Sequence, residues 1–137
     1  MNKLHAAIHR LHNSDLSILF VRLALGLVFV HAGWLKVTNM EMVASFFGSM
    51  GFPVFFAYLV GYVELIGGIA MIVGIFVRYF GILLAIVMLV AMFKVHLPNG
   101  YGLSGNGVEY VLSLFLLAAA MVTSGSGKYS LAALIRK

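Results

Sequence analysis

The chain has 137 residues, of which 63% are hydrophobic and 9% charged, with a mean hydropathy of +1.07. Soluble domains run about 25% charged, so this composition excludes an ordinary soluble domain and specifies a membrane protein of one domain's length. There is no cysteine, which excludes disulfides, Cys-bound zinc and iron–sulfur ligation within the chain. The net charge of +5 reads as the Lys/Arg excess that orients membrane helices, with no nucleic acid implied.

Residues 2–12, NKLHAAIHRLH, are expected to form an amphipathic helix with Leu4, Ala7, Ile8 and Leu11 on one face and a basic face toward anionic lipid. His5, His9 and His12 have metal-compatible helical spacing, but no Cys or carboxylate accompanies them. They read as a solvated face, with no metal site.

A spanning helix needs about 20 apolar residues, and the chain has room for about four. Span one is expected over Leu16–Leu35, after capping candidates Asn13, Ser14 and Asp15. Val30-His31-Ala32 imitates a cleavage site, but Arg22 inside the apolar run, and the length of that run, favour an uncleaved span. Arg22, Gly26, Gly33 and Lys36 share one stripe; His31 lies on the opposite face. Thr38-Asn39-Met40-Glu41 matches a capping box and predicts a short helix on the outer surface, ended by Gly51 and Pro53.

Span two, Val54–Phe76, places Gly61, Glu64, Gly68, Met71 and Ile75 on one stripe, flanked by Gly67 and Gly74. Glu64 falls near mid-membrane, where ionisable residues mark a bundle interior. The rise per residue leaves Arg22 and Glu64 about 9 Å apart along the helices, which predicts an Arg22–Glu64 pair, direct or through water. Span three is expected over Tyr79–Val95, and span four over Val108–Thr123. On span four, Glu109, Ser113, Ala120 and Thr123 line a face suited to helix contact. Lys36, Lys94, His96, Asn106 and Glu109 are expected to cluster at the outer mouth, where His96 and Glu109 either share a proton or form an interfacial salt bridge. The loop Leu97–Gly107 reads as a flexible turn. The Gly125–Ser130 stretch lacks the spacing of a phosphate loop and reads as a helix stop, with Lys128 at the headgroups.

Lys3, Arg10, Arg78, Lys128, Arg136 and Lys137 lie on one side of these spans, against Lys36 and Lys94 on the other. Both termini are therefore expected in the cytoplasm. The organisation is an all-α membrane protein: an amphipathic segment over 1–14, a four-transmembrane-helix bundle over 15–124 with a short outer interfacial helix, and a cytoplasmic tail over 125–137.

Across residues 18–131 the chain resembles the DoxX family of small four-helix membrane proteins. The matching pieces are Arg22-x3-Gly26, Gly33-x2-Lys36, Gly51-x-Pro53, Glu64-Leu65-Ile66-Gly67-Gly68 with Gly74 and Arg78, then His96, Asn106 and Glu109, then Gly125-x-Gly127-x-Tyr129-Ser130-Leu131. The resemblance implies four helices, cytoplasmic termini and residence in a bacterial inner membrane. Some relatives are described as subunits of thiosulfate:quinone oxidoreductase, others as membrane parts of oxidative-stress complexes. The chain departs from the family's pattern in having His31-Ala32 where relatives carry His directly before the Gly, Ser126 for a usual Pro, and Ala132 for a usual Asp.

Three function classes follow. The first is a membrane subunit of a quinone-linked oxidoreductase, with quinone as the cofactor to look for and a redox partner subunit or second copy beside it. The second is a structural or assembly protein whose ion pairs fix packing. The third is a lipid or small-metabolite binding or transport protein, disfavoured for transport by the lack of an internal repeat.

Overall fold

The computed structural model describes residues 2–136, apart from the Leu103 side chain. It is all-helical; the described residues form no strand. Its elements are α1 (Asn2–Arg10), α2 (Ser14–Thr38), α3 (Met40–Ser49), α4 (Val54–Val73), α5 (Val77–Ala91), α6 (Glu109–Ser124) and α7 (Leu131–Ile135). A π turn (Met92–His96) and a 3-10 turn (Leu97–Asn99) prolong α5. Among the described residues three helical stretches are long and apolar enough to cross a membrane: Ser14–Thr38, Val54–Val73 and Val77–Asn99. The apolar α6 is shorter, at 16 residues.

Local chemistry sets the boundaries. Asn13 caps α2, its side chain accepting from the Leu16 N–H at 3.0 Å. The predicted capping box at α3 is not made. Thr38 is still the last residue of α2 and its hydroxyl donates back to the Trp34 carbonyl at 2.7 Å. Asn39 takes the cap position with no side-chain cap bond. α4 ends three residues before the expected Phe76, because Gly74 turns left-handed at φ 82°. Phe76 also adopts a left-handed φ of 51°. The α4–α5 connection is thus a tight corner with an exposed aromatic at its tip.

The helices pack as a bundle, α2 against α4 and α5 against α6, with α4–α5 and α2–α6 contacts closing it. Leu25, Phe29, Met71, Leu84, Met88, Leu114, Ala118 and Met121 form its core. In lipid the solvent is as apolar as the side chains, so close backbone packing is the main attraction between helices. The α2–α4 pair is built for it. A Cβ on Gly68 would lie 2.6 Å from the Val30 nitrogen, one on Gly26 2.9 Å from the Gly68 carbonyl oxygen, and one on Gly33 would overlap the Leu65 backbone. These contacts run antiparallel in register along both helices. They carry Arg22 to one end of α4 and Lys36 toward its middle.

Candidate functional site

Arg22 is 1% exposed and sits beside the C-terminal end of α4. The last carbonyls of a helix have no partner within the helix and carry its partial negative charge. Arg22 takes up two of them: Nε donates to the Met71 carbonyl at 2.9 Å and Nη2 to that of Ile72 at 3.0 Å. Nη1 donates to the carbonyls of Ser126 at 3.0 Å and Tyr129 at 2.7 Å. The guanidinium therefore ties α2, α4 and the tail together without a carboxylate. Gly74 is constrained twice here, by its left-handed φ and by space, since a Cβ would overlap the guanidinium. The tail is fastened further by the Lys128 N–H on Asp15 Oδ1 at 3.0 Å and the Ala132 N–H on the Gly74 carbonyl at 3.0 Å.

Glu64, 2% exposed in the middle of α4, is paired with Lys36 and not with Arg22. The Lys36 ammonium donates to Glu64 Oε2 at 2.8 Å, and the lysine side chain keeps 29% exposure. The expected Arg22–Glu64 pair is thus replaced by two separate centres. The physical reason is the helix register: the nearest strong acceptors to Arg22 are the orphan carbonyls at the end of its own partner helix. Gly61, one turn before Glu64, leaves room for the lysine stem; a Cβ there would lie 3.4 Å from Lys36 Cβ and 3.3 Å from Met40 Cε. Met40 also lines a shallow depression of about 480 Å³ at the α2–α3 junction, with Thr38, Asn39, Glu41, Met42 and Ser45.

Of the other expected outer residues, His96 and Asn106 come together. Lys94 is exposed on the π turn. His96 Nδ1 lies 2.9 Å from the Asn106 carbonyl oxygen; because that oxygen only accepts, Nδ1 carries the proton. The Leu97–Gly107 loop is knit internally: the amide of Asn99 donates to the Asn106 carbonyl at 3.2 Å, and the N–H groups of Val108 and Glu109 donate to Gly100 and Tyr101 carbonyls at 2.9 Å each. The polar face predicted for helix contact on span four points outward. Glu109, Ser113, Ala120 and Thr123 are exposed, while Val111, Leu114, Ala118 and Met121 face the core. Ser113 and Thr123 tolerate this because their hydroxyls donate to the Glu109 and Ala120 carbonyls of their own helix. His31 is exposed on α2, beside Leu27 and Trp34.

Of the predicted helix-packing glycines, Gly26, Gly33, Gly61, Gly67, Gly68 and Gly74 are all buried. The tail's part in the Arg22 centre was not foreseen. Its acceptors are main-chain carbonyls, which any residue supplies, and the only sequence traces were Gly125 and Gly127.

The DoxX family model matches residues 17–97. The chain belongs to the DoxX family. Among curated relatives it is 33% identical over 112 residues to the Bacillus subtilis protein named "Putative oxidoreductase CatD", covering 82% of this chain and 81% of that one. It is 30% identical over 128 residues to the Escherichia coli "Inner membrane protein YqjF", covering 90% of this chain and 95% of that one. No solved structure matches the chain. Family membership and the apolar helices together establish an integral membrane protein. Within this DoxX protein, the pieces that carry the family resemblance gather at three levels: Arg22 with Gly74, Gly127 and Tyr129 at one end, the Gly26–Gly33–Gly68 crossing in the middle, and Lys36 with Glu64 above it.

Proposed function

We propose that this DoxX protein is the membrane subunit of a quinone-linked redox assembly and that the Lys36–Glu64 pair is its working polar centre. The observation that carries the reading is the asymmetry of that pair: a fully buried carboxylate holds an ammonium that is itself 29% exposed. Such an ammonium has donors to spare for an incoming carbonyl oxygen, while Glu64 fixes its position. Met40, which lies with the lysine stem against Gly61, also lines the depression at the α2–α3 junction. A bound quinone would supply reversible uptake of electrons and protons, which a chain without cysteine does not provide by thiol chemistry. The name of the B. subtilis relative agrees with a redox role, and that of the E. coli relative with an inner-membrane location.

This reading takes α6 as the fourth span. At about 1.5 Å per residue its 16 residues cover about 24 Å, and the flanking loop and tail complete the crossing. The Lys/Arg count then places both termini in the cytoplasm. The exposed face of α2 around Leu27, His31 and Trp34 is the surface for a partner subunit or second copy. A structural or assembly role is the competing reading, and the Arg22 centre supports it: its donors go to four backbone carbonyls and serve only to hold elements together.

Purification in mild detergent followed by organic extraction tests the proposal. Quinone is expected to co-purify with the wild-type protein. Its absence from repeated preparations, with no spectral response to added quinone, would overturn the redox reading and leave the structural one.

A further inference from the structure

At the end of the bundle where Arg22 holds the tail, a cleft of about 620 Å³ opens between the α4–α5 corner and the tail. Arg78 and Arg136 line it from opposite sides. Both are exposed, and among the described residues neither guanidinium makes a hydrogen bond or an ion pair. Among the described residues no carboxylate lines the cleft. The nearest acidic residue in the tail's contacts, Asp15, accepts instead from the Lys128 N–H. Two guanidiniums thus line one space that no acidic side chain of the described residues lines.

The surroundings fix what would enter. Arg78 is seated on Gly125, where a Cβ would approach its Nε to 3.0 Å. The glycine lets the guanidinium lie against the chain at the cleft wall. Around the opening, Phe76, Tyr79 and Ile135 are 60%, 70% and 66% exposed. Exposed aromatic and aliphatic side chains at the end of apolar helices belong in the interfacial layer of a bilayer, so the cleft opens at headgroup depth. Guanidinium groups match phosphate oxygens through paired N–H donors.

We propose that this cleft is a phosphate-binding site, with Arg78 and Arg136 as its ligands, occupied by the phosphate of an anionic phospholipid or by a soluble phosphate. It is separate from the Lys36–Glu64 centre and stands whether or not that centre binds quinone.

The test is native mass spectrometry and thermal melting of the full chain in detergent, with three additions: phosphatidylglycerol, phosphatidylcholine or inorganic phosphate. Variants are Arg78→Gln/Arg136→Gln, Arg136→Gln alone, and Lys3→Gln/Arg10→Gln, which removes equal charge elsewhere on the same side. Two interfacial cations contribute about a tenfold preference or more. The wild type is expected to retain phosphatidylglycerol over phosphatidylcholine by that factor, the double cleft variant to lose it, and the Lys3/Arg10 variant to keep it. Stabilisation by inorganic phosphate that the cleft variants abolish, without lipid preference, would support the same site with a soluble occupant. Arg136→Gln, in the exposed tail, guards against misreading a folding defect and is expected to lose part of the preference. Equal lipid retention by the cleft and Lys3/Arg10 variants, with no phosphate effect that depends on the cleft arginines, would overturn the proposal.

Discussion

Replacing Arg22 by Lys keeps the charge but removes the planar fork that reaches four carbonyls in three segments of chain. A single ammonium cannot span them, so Arg22→Lys is expected to lower stability by about 2 kcal/mol or more, read as a drop in melting temperature in detergent. The Lys36–Glu64 pair responds differently at its two ends. Lys36→Ala leaves Glu64, 2% exposed, as a buried charge without its partner, at a cost of about 3–5 kcal/mol. Glu64→Gln leaves a neutral amide, and Lys36, already 29% exposed, can turn outward; the expected loss is about 1–2 kcal/mol. Equal losses from the two substitutions would show that the pair is not asymmetric in the way described. Glu64 was legible in the sequence as interior because charge inside an apolar run has few other places to go, whereas Lys36 was expected at the outer mouth. Their pairing was not legible, since it depends on a helix register of one or two turns.

Gly68 and Gly48 separate the two uses of glycine in helices. A methyl at Gly68 would meet the Val30 backbone at 2.6 Å, whereas one at Gly48 in α3 meets nothing within 4 Å. Gly68→Ala is therefore expected to cost about 3 kcal/mol by forcing α2 and α4 apart. Gly48→Ala is expected to be neutral or to stabilise by about 0.5 kcal/mol through helix propensity. Both are read by thermal unfolding. The glycine stripes made the α2–α4 interface legible before the structure, together with the existence of every long helix and of α3. The helix ends were less so. Phe76 adopts a left-handed conformation that its side chain does not advertise, and the 3-10 turn at Leu97–Asn99 carries the helical run of α5 past His96 and Pro98. The face of α6 was misread because hydroxyls that bond their own helix look polar in sequence yet need no partner. The short α7, capped by Ser130 accepting from the Ala133 N–H at 3.1 Å, falls in a stretch with too little periodicity to predict.

For the whole molecule, the charge count and the bundle topology make a joint prediction about sidedness. Because the chain has no cysteine, single reporters can be introduced without a silent background. Glu41→Cys and Lys128→Cys, both at exposed positions, are expected to react with a membrane-impermeant reagent from opposite sides of the bilayer, Lys128→Cys only from the cytoplasm. Labelling of both from one side would contradict four spans. The polar residues then divide by level: the Arg22 end holds the tail to the bundle, and the Lys36–Glu64 level, a part-exposed ammonium on a buried carboxylate, is the centre proposed to take a ligand. That division is tested most directly by Glu64→Gln, measuring melting temperature and extracted quinone on the same preparation. A functional centre predicts a variant that stays folded within a few degrees of the wild type and loses its quinone. A variant that keeps wild-type quinone, or one that loses quinone only in proportion to its loss of folded protein, would contradict it.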